Sequence, residues 1–516
     1  MAAQSITTDL TLINNADPGT LGDWAALGGG QSGLAEETDY FIQGTTSISK
    51  QVKQETKGMH ADNGASVTFG TGDHVYVWLY ATTPGATDLR ANGGLRITLG
   101  DNASTRKEYY VNGRDFYTYG GWICYPIDPT LTEDRLEGTG HSSPFTPRYF
   151  GGIMSNFVTV RGVNFGVDVI RYGTGVDATG GGSPDPDITF ADIAATDASN
   201  TNAWGVCQPT GAGVELQGEV RIGADDTSTA TSFVDVDAVV TKKNNNPGGV
   251  NTKTSSTFSG ITVQGSLTTA SFTGCLFIGL DTTDKGFFDC GSATNDPTVT
   301  LSGCTFLEWG PTTISSAATV SGNSWKTCSA LTLNGGSVSD CTFDSCDPLD
   351  AGTDLGNVSG CTFTSSGTGH AITTSVSTGT ISFNNNNFSG YTTGANAAIN
   401  FTAASGTVTV NYSGGNLPTF QTAGVSVTFQ ASSSLTLTGL QPNTEVRIYQ
   451  AGTTTEVAGV ENSGTSEVFS ISVSSVDIVI HSLGFIYQRL ESVSTSTDRS
   501  IPIQQQEDRQ FENPPP

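Results

Sequence analysis

The sequence predicts an all-β protein, a right-handed parallel β-helix flanked by β-sandwiches, and three observations predict it. Charged residues are 14% of the 516-residue chain and Gly supplies 64 positions, against roughly 25% and 7% in an average soluble domain. Long tracts of Thr, Ser, Asn and Gly are poor helix formers, and hardly any window shows the i, i+3, i+4, i+7 apolar spacing of an amphipathic helix. The third observation is an imperfect internal repeat. Its copies read FTGCLF (272–277), LSGCTF (301–306), VSGNSW (320–325), VSDCTF (338–343), VSGCTF (358–363) and FNNNNF (383–388), with partial copies at VRGVNF (160–165) and FSGITV (258–263).

The fourth position of the hexad is Cys275, Cys304, Asn323, Cys341, Cys361 and Asn386, in steps of 29, 19, 18, 20 and 25 residues. Variable spacing near twenty is a solenoid signature. Leucine-rich repeats need Leu at fixed offsets, and helical repeats need longer periods and helix formers. Short strands with Gly, Asn and Ser at the corners fit a parallel β-helix, whose coils stack like positions over one another. The first, fourth and sixth positions then point inward. The expected core ladder is the six fourth-position residues with Phe277, Phe306, Trp325, Phe343, Phe363 and Phe388. Hydroxyls and Gly fall outside or at bends.

Residues 1–150 precede this region as an aromatic-rich β unit. Val75–Tyr80 and Leu95–Leu99 read as strands, and Asn63-Gly64, Gly72-Asp73, Asn92-Gly93 and Asn112-Gly113 read as turns. The pattern is similar to lectin-like jelly rolls of the laminin-G or concanavalin type. The β-helix is assigned to 151–425. Residues 426–495 alternate apolar and polar in short runs such as Val476-Asp477-Ile478-Val479-Ile480, as in a small immunoglobulin-like sandwich. Residues 496–516 are Gln- and Pro-rich with isolated apolar anchors Ile501, Ile503 and Phe511. They read as an extended C-terminal arm, either disordered or laid on a neighbour.

The formal net charge of −27, with no basic run longer than Lys242-Lys243, argues against nucleic acid as a partner. No run of 18 apolar residues predicts a membrane span. The N-terminus, MAAQSITTDLTL, has neither a basic nor an apolar leader region, and nine Cys is an odd number without a CxxC pair. Synthesis in a reducing cytoplasm is the expectation.

Chemistry-bearing residues are few. Asp225-Asp226, Asp235 with Asp237, and Asp281, Asp284 and Asp289 are the paired-carboxylate candidates for glycan cleavage. The polygalacturonase-like β-helix enzymes carry NTD, G/Q-D-D, GHG and RIK motifs. GADD (223–226) resembles the second and GTGH (367–370) the third, while NTD and RIK are missing. The aspartates are therefore read as solvated turn residues. Cys341 and Cys346 with a distant His370 fall short of the two close ligand pairs of a zinc site, so stacked, reduced, buried thiols and no metal or cofactor are expected. His60, His74, His141, His370 and His481 form no HExxH arrangement. The stretch GTGVDATGGGSPDPD (173–187) reads as the opening of a structureless linker. The cluster Tyr109, Tyr110, Phe116, Tyr117, Tyr119, Trp122 and Tyr125 reads as core and interface, with a sugar-stacking platform as the functional option.

The VSGCTF repeats together with the closing section VDIVIHSLGF…IPIQQQEDRQFENP (476–514) resemble the virion structural proteins of tailed bacteriophages. That resemblance implies a non-enzymatic protein without catalytic residues, a capsid decoration or fibre component at the virion surface, assembled in the host cytoplasm. It also implies a homotrimer that contacts the major capsid protein or other virion proteins, with residues 496–516 as a docking strap. The alternative it implies is a tail spike, a receptor-binding protein that binds or depolymerises host surface glycan.

Overall fold

The computed structural model describes residues 3–17, 20–27, 33–52, 55–81, 94–102, 104–111, 122–156, 163–211, 213–223, 230–235, 238–241, 258–279, 286–290, 296–431, 433–495 and 498–508. The protein is almost all β, with both antiparallel and parallel sheets. Its chain forms two compact units, one made of residues 1–337 and 342–347, the other of 338–341 and 348–516.

The first unit opens with two antiparallel sheets. One has the order Trp122–Ile127, His74–Ala81, Val163–Gly173, Ser47–Val52, Leu34–Glu37. The other has the order Arg135–Glu137, Arg106–Tyr110, Gly94–Gly100, Tyr149–Asn156, Glu55–Asp62, Trp24–Leu27. Alternation puts Val75, Val77, Leu79, Ile123, Tyr125, Phe165 and Val167 of one sheet against Leu95, Ile97, Leu99, Tyr109, Phe150 and Met154 of the other, in a single apolar core.

From Gly175 to Ala431 most of the pairing is parallel. Successive strands visit three sheets in turn. Gly260–Val263, Thr268–Thr273 and Leu276–Ile278 are followed by Phe287–Asp289, Thr298–Ser302 and Thr305–Leu307, then by Thr312–Ile314, Thr319–Ser321 and Ser324–Lys326. Each of these strands pairs in parallel with the one a circuit earlier.

The hexad explains how the chain turns between two of these sheets. Its third residue sits in the left-handed region at Gly274, Gly303, Gly322 and Gly360, and also at Asp340 and Asn385, with φ between 55° and 68°. Gly adopts this conformation freely, and Asp and Asn are the side chains that tolerate it best. The bend turns the fourth residue inward. In the first unit the sixth residues lie in direct register, Phe277 to Phe306 to Trp325 to Phe343. Their rings stack at centroid distances of 4.6, 3.6 and 6.1 Å. In the second unit Phe363 stacks on Phe388 at 5.1 Å.

Asn replaces Cys in two hexads and supplies hydrogen bonds that a thiol cannot. Asn323 Oδ1 accepts from the Cys304 N–H at 2.6 Å and its Nδ2 donates to the Leu301 carbonyl at 2.9 Å. Asn386 repeats the arrangement with Cys361 N–H at 3.0 Å and the Val358 carbonyl at 2.9 Å. Backbone groups left bare at the bend are thereby satisfied.

Beyond its own parallel strands, the second unit has two sheets around another core. Ser433–Thr438 lies between Ser466–Ile471 and Arg499–Pro502, and Glu445–Gln450 lies between Glu456–Val460 and Ser475–His481, which also pairs with Gln488–Ser494. Leu435, Leu437, Val446, Ile448, Ile478, Ile480 and Ile503 fill the space between them.

The linker expected at 173–187 is not structureless. Gly175–Thr179 is a strand between Ser5–Thr8 and Glu219–Ile222. A helix, Phe190–Asp197, follows, with a capping box in which the Thr189 side chain accepts from Asp192 N–H and the Asp192 carboxylate accepts from Thr189 N–H.

Candidate functional site

The residues expected to form the core ladder are buried among the parallel strands. Cys275, Cys304, Asn323, Cys341, Cys361 and Asn386 are buried, as are Phe277, Phe306, Trp325, Phe343, Phe363 and Phe388. All nine thiols are free, and Cys346 alone is partly exposed. The Cys275 thiol is pushed well above the ordinary range by its hydrogen bond with Cys304 and then by burial. Cys346 beside Cys328 and Cys361 beside Cys341 are raised in the same way. In the first pair the same hydrogen bond lowers Cys304 while it raises Cys275, and a buried thiol that stays protonated is a poor nucleophile and metal ligand. Among the described residues no group of three or more His, Cys, Asp or Glu is placed to hold a metal ion.

Of the carboxylate candidates only Asp235 and Asp289 lie within the described residues. Asp225, Asp226, Asp237, Asp281 and Asp284 lie outside the described residues. Asp235 is not solvated as expected but buried, and accepts from the N–H of Phe190 at 2.7 Å, tying the helix start to the neighbouring strand. Asp289 is half-buried on a parallel strand. His370 Nδ1 lies 2.7 Å from the Ala397 carbonyl, in a turn rather than a catalytic pair. In the aromatic cluster Tyr109 and Tyr125 are core residues; Phe116, Tyr117 and Tyr119 lie outside the described residues. Of the three anchors in the C-terminal segment, Ile503 is buried in the core of its own unit, Ile501 packs against that core, and Phe511 lies outside the described residues.

A site absent from the sequence reading does emerge in the first unit. A cavity of about 640 Å³ is lined by Phe69, Gly70, Thr71, Gly72, Asp73, His74, Asp128, Thr130, Thr174, Glu219, Phe258 and Phe287. Three adjacent strand ends build one wall, because Gly173 pairs with His74 and Ile127 with Val75. The other wall is a cross-strand row of the first parallel sheet, Gly175, Glu219, Gly260 and Phe287. Gly260 has no side chain because the Phe287 ring lies where its Cβ would be, 2.5 Å away.

The electrostatics of the cavity are acidic. Glu219 accepts from Arg221 at 3.2 Å and from the Thr262 hydroxyl at 2.5 Å, and Arg221 also pairs with Asp9 and Asp177. Asp73 accepts from Gly70 N–H at 2.6 Å, and Asp128 from both the N–H and the hydroxyl of Thr130. His74 is buried, its ring 4.1 Å from that of Phe258, and its Nδ1 lies 2.8 Å from the Gly72 carbonyl. Burial lowers its pKa below the ordinary imidazole value, against the opposing pull of that carbonyl, Asp128 and Asp73. A carbonyl can only accept, so the neutral ring carries its proton on Nδ1, and Nε2 is a bare acceptor without a partner among the described residues.

A second buried carboxylate sets a pH dependence. Asp168 Oδ2 accepts from the N–H groups of Ile42 and Gln43 at 2.6 and 3.1 Å, while its Oδ1 has no partner among the described residues. Burial outweighs those two bonds and pushes its pKa up to about 7. With the folded value above the unfolded one, the folded state holds the extra proton. The associated stability is complete below the unfolded pKa and is lost as pH rises through about 7. Asp168→Asn, which keeps an acceptor for the two N–H groups and cannot ionise, is expected to gain Tm relative to the parent chain between pH 6 and pH 8. Scanning calorimetry at the two pH values checks this, and a constant difference would contradict it.

Neither a family profile nor a curated protein matches the chain. Among solved structures, the crystal structure of the Agl-KA catalytic domain aligns over 83% of this chain and 99% of that one, at 10% identity and a TM-score of 0.18. A likeness of that size carries no argument about the site.

Proposed function

We propose that the chain is a non-enzymatic structural protein displayed on the outside of a tailed-bacteriophage particle, as capsid decoration or fibre. On this reading the three parallel sheets are the faces of a right-handed β-helix, flanked by a lectin-like N-terminal sandwich and an immunoglobulin-like C-terminal one. The observation that carries it is the stacking of like side chains on successive strands, Phe277, Phe306, Trp325 and Phe343 in register. Coils closed by such rows resist local unfolding, because opening one exposes the apolar faces of its neighbours. The net charge of −27 suits a protein present in many copies, since like charge keeps copies apart in solution. The partners on this reading are further copies of the chain in a homotrimer and the major capsid protein or another virion protein.

The test is the copy number per purified particle, by densitometry of virion proteins. Hundreds of copies support decoration and a few to a few tens support a tail appendage; absence from the particle overturns the assignment. A second reading, a tail spike that binds host surface glycan, is favoured by the aromatic- and carboxylate-lined cavity at His74.

A further inference from the structure

We propose that the cavity headed by His74 is a binding subsite for one neutral hexopyranose unit of a glycan. The inference rests on the glycan-binding reading for its ligand class and gives that reading a location. Its volume of about 640 Å³ lies within the ~300–1,000 Å³ range of small-molecule sites.

The donor and acceptor inventory decides the chemistry. The cavity presents acceptors from Asp73, Asp128 and Glu219, together with the hydroxyls of Thr71, Thr130 and Thr174, and no Lys or Arg lines it. The His74 ring is 2% exposed and its Nε2 is closed off from solvent, so the acceptors that face an occupant are those of the carboxylates and hydroxyls. The occupant is therefore rich in O–H donors. Phe69, Phe258 and Phe287 contribute apolar surface to the same walls, which suits a ring that has C–H groups on its faces and hydroxyls around its rim. A ligand that carries its own carboxylate is disfavoured, because neither Asp73 nor Asp128 has an ion-pair partner among the described residues. A metal ion is also disfavoured. The carboxylates are engaged by Gly70, Thr130, Thr262 and Arg221, and the described residues offer no cluster of ligands for an ion.

The experiment is saturation-transfer-difference NMR on the full chain. Its probes are the methyl glycosides of glucose, galactose and mannose, the methyl glycoside of galacturonic acid as its sodium carboxylate, and, as competitors, spermidine and calcium chloride. At least one neutral glycoside is expected to bind with a Kd on the order of 1 mM. Asp128→Ala, which removes a half-buried carboxylate acceptor from the lining, is expected to weaken it by about fivefold or more. Phe287→Ala, at a half-buried position, is expected to weaken it likewise and decides the matter alone if Asp128→Ala loses its thermal transition. Tyr487→Ser, 55% exposed in the other unit, is expected to leave it unchanged. The proposal is overturned if no neutral glycoside binds or if binding survives both cavity variants. It is overturned equally if galacturonate binds as well as the neutral sugars, or if spermidine or calcium displaces them at equal concentration. A protein found in particles that binds no sugar overturns this inference and leaves the structural role standing; a sugar-binding protein absent from particles does the reverse.

Discussion

Trp325→Ala is expected to lower the stability of the first unit by about 3–5 kcal/mol, the usual cost of removing a fully buried large aromatic side chain. Trp325 is 1% exposed and lies in register between Phe306 and Phe343, its ring parallel to that of Phe306 at 3.6 Å. Truncation leaves a void with aromatic rings on both sides, and strand pairing on both sides prevents the neighbouring strands from closing over it. Trp325→Phe is expected to behave differently. The indole Nε1 has no hydrogen-bond partner among the described residues, so replacing it with Phe removes a buried unsatisfied donor while losing some volume. The two effects are each of order 1–3 kcal/mol and opposed, and the net change is expected within about 1 kcal/mol. Denaturant titration of both variants, read by fluorescence of the remaining tryptophans and by circular dichroism, checks the pair. Equal losses would mean that the row is not a packed stack.

The parts of the fold that were legible in the sequence are those where each residue's role is set by its immediate neighbours. In VSGCTF the Gly marks the left-handed bend, the next residue turns inward and the Phe two positions on does the same, so the repeat can be read one hexad at a time. Asp340 and Asn385 substitute for that Gly because their side chains tolerate the same backbone conformation. The helix Phe190–Asp197 was hidden by the Gly- and Pro-rich stretch before it, although Thr189 and Asp192 carry a capping-box signal. The cavity was illegible for a different reason. Its lining comes from positions 69–74, 128–130, 174, 219, 258 and 287, which only strand pairing brings together, and no one of these segments has a motif. The tautomer of His74 depends on a carbonyl two residues back, a contact created by the turn at Gly72 rather than by residue type. Tyr109 and Tyr125 lie in the core, as the core-and-interface reading of the aromatic cluster expects and the sugar-platform option does not, because strand alternation turns both rings inward.

Ending the chain at Asp498 is expected to destabilise the second unit, which changes what a truncation experiment on the C-terminal segment means. A segment that served only as a strap would leave the folded protein untouched when removed. Here Arg499–Pro502 instead pairs in parallel with Ser433–Thr438, matching Leu435 with Arg499 and Leu437 with Ile501. The Ile503 N–H donates to the Thr438 carbonyl at 2.7 Å, and its side chain is 6% exposed in the core. Further along, Gln505 Oε1 accepts from the Gln441 N–H at 2.6 Å, and the Ile486 N–H donates to the Gln506 carbonyl at 2.8 Å. The sequence concealed this because Gln- and Pro-rich composition masks the period-two spacing of Ile501 and Ile503, which is the spacing of a strand with one face on a core. Ile503→Ala is expected to cost about 2–5 kcal/mol, and Ile501→Ala less, because that side chain is only half-buried. Removal of residues 499–516 is expected to cost more than either, since it also bares an edge of Ser433–Thr438. Thermal unfolding of the three variants, with limited proteolysis to locate cleavage within 433–495, reads the order. An unchanged Tm in the truncated chain would return the segment to the role of a separable arm. A lowered one means that any loss of particle binding after truncation reports the unfolding of this unit, and that a docking contact must be sought with surface substitutions that leave Ile503 in place.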